Sequence, residues 1–467
     1  MNILLVQSHL GRRESHPPIF PLGLCYIATA LTGHDVRILD LNFRGMEESG
    51  AVLDRTLQDF RPDIIGLAIR NIDTTQRSDL FCYFKTVRPT AQRIKRTLPN
   101  VLLVAGGAGF SIFPEQIMER VPELDVGVYL EGEESFPELA AHHSRPGEVK
   151  GLYVRRGGPA HFTGPREPPD FARLPIPKRE WPGLDIKAYI GAGGANIGIQ
   201  TKRGCPLTCA YCNYPHLNGS SSRLRAPAHI VDEVQYLLRL GVERVAMADS
   251  VFNVPPEHAA AVCREIIRRN MRVEWEAWFD LRFASGDLLH LARQAGCRHV
   301  GFSPDGATNP ALARLRKGIT ETHIDDSLRA VRSVPGLRAG YNFFLLPGMT
   351  LRETWRTLVQ VVRVPVLSRG RARVMGLGWI RIEPHTAIER TALQEGILPP
   401  GTDLLTERED ELAALFYCKG PLRIPERAIM AVCRFVDLRL RPFLKRVVGV
   451  LGITARAVSR PITADDK

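Results

Sequence analysis

The sequence lacks three features that would assign it to other classes of protein. Its nine cysteines are odd in number and scattered, so they do not resemble the disulfide framework of a small secreted domain. No apolar run reaches the roughly 18 residues that suggest a membrane span. The first residues, MNILLVQSHLG, lack the basic region, long apolar core and cleavage site of a signal peptide. We therefore expect a soluble, cytoplasmic protein in a reducing compartment.

Positive charge is distributed unevenly along the chain. The 467 residues predict two to four domains, since single domains usually hold about 100–200 residues. The formal net charge is +12, and residues 421–467 contribute half of it, because ten Lys/Arg there face four Asp/Glu. Within this end, residues 427–456 mix apolar stripes with arginines. They predict either a basic amphipathic helix on an anionic membrane surface or a helix that closes the floor of the preceding domain.

The first third of the chain alternates short apolar runs with amphipathic stretches. Strands alternating with helices predict parallel βαβ units and a doubly wound, Rossmann-like sheet over 1–156. In such sheets ligands bind outside the carboxyl ends of the strands. The predicted helices are 20–32, 78–97 and one from about 133, and the predicted strands are 3–6, 36–39, 64–68, 101–104 and 126–129.

A second alternation predicts a partial barrel. Residues 157–190 are rich in Pro and Gly, which favours a linker but equally fits an ordered loop packed across both domains. Six strand–helix units then predict a (β/α)6 partial barrel over 191–384, with its sites at the carboxyl ends of the strands. Residues 385–467 are expected to be mainly helical. The six predicted strands are 196–201, 243–248, 273–278, 298–303, 339–345 and 373–380.

Three cysteines form the strongest motif in the chain. Cys205, Cys209 and Cys212 have the spacing C-x3-C-x2-C and follow a predicted strand. Three thiolates within eight residues can hold three irons of a cubic [4Fe–4S] cluster and leave the fourth open. A zinc site would want a fourth Cys or His, for which His216 is close enough. An electron-transfer ferredoxin would want a fourth cysteine at short range, and none is present.

The segment resembles the signature of the radical S-adenosylmethionine (SAM) superfamily, C-x3-C-x-aromatic-C, and the resemblance extends over about 190–400. It implies that the open iron binds the amino and carboxylate groups of SAM, whose reduction yields a deoxyadenosyl radical. Tyr211, the aromatic residue of the motif, is expected to contact the adenine. Asp249 or Ser250 is expected to bind the ribose hydroxyls or the amino group, and Arg282 the carboxylate. Asp305, in the segment GFSPDG, is a further expected SAM-binding residue. Each of these side chains has a simpler alternative as a strand-end cap or ion pair.

The first domain resembles the cobalamin-binding domains that are fused to radical SAM barrels. The resemblance rests on PIFPLG at 18–23, ILD at 38–40, Gly106-Gly107 and Gly132-Glu133, which occur in the same order. A nicotinamide dinucleotide is disfavoured, because GGAGF follows the fourth strand rather than the first. Glycines in such loops let the backbone approach a macrocycle closely. The residues that the resemblance places near cobalamin are Ser8, Arg70, Asn71, Gly106, Gly107, Gly109, Phe110, Ser111, Gly132 and Glu133.

One departure from the cobalamin pattern concerns the face below the cobalt. Methylcobalamin enzymes with a histidine there carry D-x-H-x-x-G, which this domain lacks. Arg70, in the loop after the third strand, could occupy that face without ligating cobalt, because guanidinium stays protonated. The alternative is that Arg70 pairs with Asp73 or caps the strand.

The two resemblances together imply a cobalamin-dependent radical SAM methyltransferase. Its expected substrate is a carbon or phosphorus centre of a small molecule, natural product or lipid, and its expected electron donor is a flavodoxin or ferredoxin. A cyclase or ring-rearranging enzyme built from the same domains is the first alternative. An RNA-modifying enzyme is a weaker one, because such proteins carry further cluster cysteines in the first domain and a β-rich RNA module. Peripheral membrane contact through the basic C-terminal region stays open.

Overall fold

A computed structural model describes residues 1–7 and 18–418 of the chain. It is a mixed α/β structure with two large sheets, as the strand pattern predicts, and a two-stranded ribbon. Ser8 and the basic segment 421–467 lie outside the described residues, so the predictions that fall on them are not addressed by the structure. No helix among the described residues is long and apolar enough to cross a membrane.

The first sheet has seven strands in the order β2-β1-β3-β4-β5-β6-β7. The five predicted strands are present and parallel, and two further antiparallel strands extend one edge. Their bounds are β1 Asn2–Gln7, β2 Asp35–Asp40, β3 Ile64–Ala68, β4 Leu102–Gly106, β5 Val126–Val128, β6 Leu152–Arg155 and β7 Ala160–Phe162. The helices are α1 Leu22–Ala30, α2 Met46–Phe60, α3 Val87–Thr97, α4 Ala108–Ile112, α5 Pro114–Arg120 and α6 Ser135–Ala141.

The predicted helix at 78–97 is wrong in its first half. Two short 3-10 turns occupy that half, and α3 begins only at Val87. Pro89 is the reason, because a proline inside a helix removes one hydrogen bond and clashes with the carbonyl four residues earlier. A helix can therefore begin within the turn that precedes Pro89 but cannot run through it from residue 78.

The Pro/Gly-rich segment 157–190 contacts both sheets. The Ile38 amide of β2 donates to the Pro182 carbonyl at 2.9 Å, and Arg179 pairs with Glu233 of the second domain at 2.5 Å. Arg225 holds the other oxygen of Glu233 at 2.6 Å. These three charged side chains are at most 1% exposed, so the segment is anchored by a buried ion-pair triad. The boundaries predicted at 156, 190 and 384 stay predictions.

The second sheet has six parallel strands in sequential order, as a partial barrel requires. The sheet strands are β8 Gly198–Ile199, β11 Arg244–Met247, β12 Glu274–Phe279, β13 Cys297–Asp305, β14 Arg338–Phe344 and β15 Ala372–Gly378, and β9 Lys202–Arg203 pairs with β10 Arg223–Leu224 in a separate ribbon. The helices are α7 Ile186–Gly191, α8 Tyr214–Asn218, α9 Pro227–Arg239, α10 Pro256–Arg268, α11 Gly286–Gln294, α12 Asn309–Arg314, α13 Glu321–Ser333, α14 Leu351–Leu358, α15 Gln360–Leu367, α16 Ala387–Gln394 and α17 Glu409–Ala414.

Candidate active site

The cysteine loop lies at the carboxyl end of the first barrel strand, between β9 and α8. Its backbone is tied down at two points. The Cys205 amide donates to the Gly219 carbonyl at 3.0 Å, and the Ala210 amide donates to the Leu315 carbonyl at 2.9 Å. Cys205 is buried, whereas Cys209 and Cys212 are half-buried. The loop is therefore held by backbone hydrogen bonds at both points, and two of its thiols are partly exposed.

Gly204, the residue before the first of these cysteines, permits no side chain. Its φ of +81° is left-handed, and a Cβ there would lie 1.9 Å from the Ser221 carbonyl oxygen. That contact is with backbone, so it cannot be relieved by a side-chain rotation. The glycine thus fixes the direction in which the chain enters the cysteine loop.

We expect Gly204→Ala to displace the cysteine loop. The left-handed backbone and the clash with Ser221 both oppose a methyl group, so iron uptake on reconstitution should fall at least about tenfold. Gly241→Ala is the matched control, because Gly241 also has positive φ (+83°), has nothing within 4 Å of its Cβ position and lies outside the cysteine loop. Equal iron content in the two variants would contradict this role for Gly204.

Cysteine thiolates are the usual ligands of a cluster, but the protein environment favours the protonated thiols of Cys209 and Cys212. Burial raises the pKa of the Cys209 thiol, which Lys317 partly offsets, and burial raises that of Cys212 to about 11. Metal binding must therefore displace their protons. The Tyr214 amide already points at Cys212 Sγ at 3.4 Å, and such hydrogen bonds stabilise cluster thiolates. No three His, Cys, Asp or Glu side chains in the described chain are placed to share one metal ion. A cubic cluster does not need that arrangement, since each thiolate binds a different iron.

Two predicted SAM-binding residues, Tyr211 and Asp305, lie together in a hydrogen-bonded triad with Lys317. The Tyr211 hydroxyl donates to Asp305 Oδ2 at 2.5 Å, and Lys317 Nζ donates to the same oxygen at 2.8 Å. Asp305 has a left-handed φ of +63°, which aims its carboxylate from the end of β13 at the cysteine loop. Lys317 was assigned no role from the sequence. Its ammonium interacts with Cys209 and would stabilise the negative charge of a bound cluster.

Asp249 and Ser250, at the end of β11, have different environments. Asp249 is buried and accepts three hydrogen bonds, from the Thr201 amide at 2.8 Å, the Thr201 hydroxyl at 2.5 Å and the Lys202 amide at 3.2 Å. It therefore acts as a strand-end cap that holds the approach to the cysteine loop. The buried Ser250 Oγ has no hydrogen-bond partner among the described residues. A buried hydroxyl without a partner fits a residue that binds a polar ligand group.

Arg282 already has a carboxylate partner. Its guanidinium forms a two-pronged pair with Asp280, at 2.9 Å for each hydrogen bond. Of the two roles expected for Arg282, SAM binding or an ion pair, the structure shows the ion pair. The pKa of Arg282 is raised, mainly by this pair and also by the nearby Cys209 and Cys205. Arg282 thus lies within electrostatic reach of the cysteine loop, although its fork is not free.

A cavity of about 2060 Å³ connects the two sheets. From the first domain it is lined by the carboxyl ends of the parallel strands, including Gly106, Gly107 and Gly132. From the barrel side it is lined by Tyr214 and Asp249, which flank the cysteine loop. The cavity therefore joins the predicted cobalamin edge to one end of the barrel. Of the residues predicted to bind the cluster or SAM, Asp249 lines it and the others do not.

The glycine loop after β4 is constrained by the protein itself. Gly107 has a φ of +101°, and a Cβ there would lie 2.7 Å from the Ile69 carbonyl oxygen. Gly109 packs on the same carbonyl, to which its amide donates at 2.9 Å. Phe110 and Ser111 are buried, and the Ser111 hydroxyl accepts the Leu130 amide at 2.8 Å. These four residues shape the edge of the cavity, but Gly109, Phe110 and Ser111 do not line it.

Arg70 lines the cavity without a partner. Its guanidinium makes no hydrogen bond or ion pair with any described residue, although burial lowers its pKa. The alternative pairing with Asp73 is wrong, because Asp73 pairs with Arg381 at 3.1 Å. Asn71 is exposed and does not line the cavity. An unpaired guanidinium that faces an internal space is a binding-site candidate.

Gln7 is a cavity residue that sequence reasoning missed. It ends β1, is 3% exposed, and its Nε2 has no hydrogen-bond partner among the described residues. Together with Arg70 it gives the first-domain side of the cavity two polar groups that await a ligand. Cobalamin, whose ring carries amide side chains, fits such donors. The signal available in the sequence was the polar residue at the end of the first strand.

Glu133 links the two domains at the cysteine loop. Arg203, two residues before Cys205, donates to Glu133 Oε1 at 2.6 Å and to Glu131 Oε2 at 2.7 Å. Arg223 of β10 also pairs with Glu131. The side chains of Arg203, Glu131 and Glu133 are at most 9% exposed. The loop after β5 is therefore fastened to the strand that leads into the cysteine loop by a buried ion-pair network.

Comparisons with known proteins agree with this division of the site. Residues 9–140 match the B12 binding domain family, and residues 199–361 match the radical SAM superfamily. An uncharacterized methyltransferase from Pyrococcus horikoshii is 27% identical over 348 residues, covering 72% of this chain and 72% of that protein. The anaerobic magnesium-protoporphyrin IX monomethyl ester cyclase of Synechocystis sp. is 27% identical over 332 residues, covering 69% of this chain and 64% of the cyclase.

One solved structure extends the likeness to three dimensions. The radical S-adenosylmethionine methyltransferase from Kitasatospora setae, with tryptophan substrate and a SAM analog bound, superimposes with a TM-score of 0.73. The two sequences are 26% identical, and the match covers 84% of this chain and 76% of the other. The likeness spans both the first sheet and the barrel.

Proposed function

Because the chain belongs to the cobalamin-dependent radical SAM enzymes, we propose that it transfers a methyl group from SAM, by way of cobalamin, to a carbon or phosphorus centre of its substrate. One observation carries the proposal. A single cavity of about 2060 Å³ is lined by the carboxyl ends of the parallel strands of the first sheet and, in the barrel, by the carboxyl ends of β8 and β11. Two cofactors bound at these edges would face the same space, so both could act on one substrate atom.

The residues have distinct expected tasks around that space. Cys205, Cys209 and Cys212 would hold the cluster, and Ser250 would bind a polar group of SAM. Gln7 and the glycine edge of the first sheet would hold cobalamin. When bound, the cluster with SAM supplies a carbon radical and cobalamin supplies the methyl group. We further propose that a flavodoxin or ferredoxin delivers the electrons and that the protein is cytoplasmic.

Asp305, the shared hydrogen-bond partner of Tyr211 and Lys317, orients the tyrosine ring and holds the ammonium in place. Asp305 accepts hydrogen bonds from both and so fixes the ring and the ammonium relative to the cysteine loop. The pKa of Tyr211 is raised well above its ordinary value by burial and by Asp305, so the hydroxyl stays protonated. Tyr211 therefore keeps a neutral side chain within the cysteine loop, where it would contact the adenine.

Anaerobic reconstitution tests the proposed function. The full chain is loaded with iron, sulfide and hydroxocobalamin, then given SAM with a deuterated methyl group and a reductant. We expect cobalamin uptake, iron–sulfur absorbance and SAM cleavage. Products from a metabolite extract should then carry the deuterated methyl group. A new product without the label would instead support a cyclase, the reaction named for the Synechocystis relative.

A substitution of Arg70 tests its place below the cobalt. Guanidinium stays protonated and cannot ligate a metal, whereas a neutral imidazole can. We expect Arg70→His to add nitrogen hyperfine structure to the electron paramagnetic resonance (EPR) spectrum of bound cob(II)alamin. Wild-type protein and the Arg70→Ala control should show none. Nitrogen hyperfine structure already present in the wild type, or absent from Arg70→His with cobalamin bound, would place Arg70 elsewhere.

A further inference from the structure

Several residues that line the lumen of the barrel are small, whereas barrels usually carry large branched side chains there. Gly198 of β8, Ala246 of β11 and Gly301 of β13 line the cavity, as does Ala248 just after β11. A Cβ on Gly301 would lie 2.5 Å from the Trp278 ring, so this ring lies flat across the glycine. The lumen is therefore open, and the cavity that begins at the cofactor edge continues down through the barrel.

Charged side chains face this open lumen. Glu276 of β12 is in register with His299 of β13, which is in register with Arg338 of β14. Burial, followed by the charges of Arg373 and Arg338, lowers the pKa of His299 to about 4. Two arginines thus converge on a neutral histidine inside the barrel. Glu276 and Arg373 form no hydrogen bond or ion pair with the residues that the structure describes, so both are available to a ligand.

The cavity reaches solvent at the end of the barrel opposite to the cysteine loop. Leu337 and Arg338, at the amino end of β14, line it together with Val366 and Arg369 near the end of α15. Val366 is 53% exposed, so this end of the cavity is a mouth. We call it the lower mouth. A molecule entering there would reach the cofactor edge through the lumen.

An apolar stripe runs along the helices beside the lower mouth. Helices α14 and α15 follow each other with Val359 between them. Leu351, Trp355, Val362 and Val366 are 76%, 66%, 40% and 53% exposed. Their spacing of four, seven and four residues places them on one face of a helix. Apolar side chains clustered on the surface in this way mark an interaction site.

The same segment is strongly basic. Residues 351–373 contain six arginines and one acidic residue, Glu353. Arg352, Arg369 and Arg373 form no ion pair with any residue in the described ranges 1–7 and 18–418. A helix with an exposed apolar stripe, an interfacial Trp and basic flanks has the character of a segment that lies on an anionic membrane. Arginines near such a surface are attracted to its anionic lipids.

We propose that the stripe and the arginines around the lower mouth rest on an anionic lipid bilayer, and that an anionic lipid enters the lumen there as the substrate. The apolar chain would pass Val366 and Trp278, and the anionic group would bind Arg373. This proposal rests on the proposed function and specifies its substrate class. It concerns α14 and α15, not the basic C-terminal segment.

Liposome flotation of the full chain tests the membrane part. The vesicles contain phosphatidylcholine with phosphatidylglycerol, or phosphatidylcholine alone, at low salt. We expect the wild type to float with the anionic vesicles only, and Trp355→Ser/Val366→Ser to bind at least about tenfold more weakly, since binding scales with buried apolar area. The control is Ile267→Ser/Leu393→Ser, which removes two apolar residues elsewhere on the surface that are 40% and 39% exposed. It should float like the wild type.

Three flotation results would overturn the proposal. They are no binding to the anionic vesicles, equal binding of the stripe variant, and equal binding to neutral vesicles. Gel filtration of the same proteins adds a fourth. If the wild type self-associates and the stripe variant is monomeric, the stripe is an interface between copies of this chain.

Binding of dodecyl phosphate below its micellar concentration tests the lumen part. We expect Arg373→Met to weaken binding, measured by calorimetry, by about tenfold or more, because it removes a charge-assisted contact. Arg264→Met, at an exposed arginine on α10, should bind as the wild type does. Unchanged binding in Arg373→Met would refute the lumen site, and so would loss of SAM cleavage in that variant. Failure of cobalamin uptake in the wild type would overturn the proposed function but would leave the flotation result standing.

Discussion

Cys209→Ala is expected to abolish the iron–sulfur absorbance and the cleavage of SAM while cobalamin uptake stays at the wild-type level. The substitution removes one of three thiolates, and the remaining two cannot hold a cubic cluster with a single open iron. Cobalamin uptake should persist because Cys209 lies outside the cavity edge formed by the first sheet. Both readouts come from one anaerobically reconstituted sample, by absorbance and by chromatography of the SAM products.

The matched control for this experiment is Cys418→Ala. Cys418 is also a free, half-buried cysteine, but it lies far along the chain from the cysteine loop. It should retain the full absorbance. Retained absorbance in Cys209→Ala, or an equal loss in Cys418→Ala, would mean that the C-x3-C-x2-C loop is not the cluster site.

Arg203→Met is expected to have the largest effect on stability. It leaves Glu133 buried without a cationic partner, and breaking a buried pair on one side costs about 3–5 kcal/mol. Burial lowers the pKa of Arg203, but Glu133 and Glu131 outweigh burial and raise it, so the guanidinium is charged in the native protein. Urea unfolding of the cofactor-free chain, followed by circular dichroism, measures the loss.

Two further variants separate an unpaired charge from lost packing. Arg223→Met should lower the free energy of unfolding by less. Glu131 is still paired with Arg203 in this variant, and the Arg223 side chain is more exposed, at 20%. Arg203→Met/Glu133→Met should recover part of the lost stability, since replacing both partners of a buried pair by apolar groups is often neutral. If the double variant is as unstable as Arg203→Met, the cost does not come from the unpaired carboxylate of Glu133.

Much of the fold follows from patterns that are local in the sequence. Eleven predicted strands are present, and six of them stand in sequential order in the barrel, because alternation of strands and helices dictates parallel βαβ connections. The antiparallel strands β6 and β7 escaped prediction. Both are short, and β7 begins inside a Pro/Gly-rich stretch, where composition indicates a loop. Their pairing depends on the edge that β5 offers, which is a tertiary effect.

The candidate site was predictable in its types of residue but not in their partners. The cysteine spacing is a local signal, whereas the pairing of Arg282 with Asp280 and the capping role of Asp249 depend on where strands end in space. Lys317 joins Tyr211 through Asp305, although the three are separated by up to 106 positions in the chain. No local pattern reports such a contact.

The transfer of the methyl group from SAM to cobalamin on this chain tests the central claim most directly, because it requires no knowledge of the substrate. The reconstituted protein is given a strong reductant and SAM with a deuterated methyl group, without substrate, and the cobalamin is extracted in the dark for mass spectrometry. The account predicts deuterated methylcobalamin in amounts close to the bound cobalamin. Cobalamin that is bound and reduced but carries no label would contradict it.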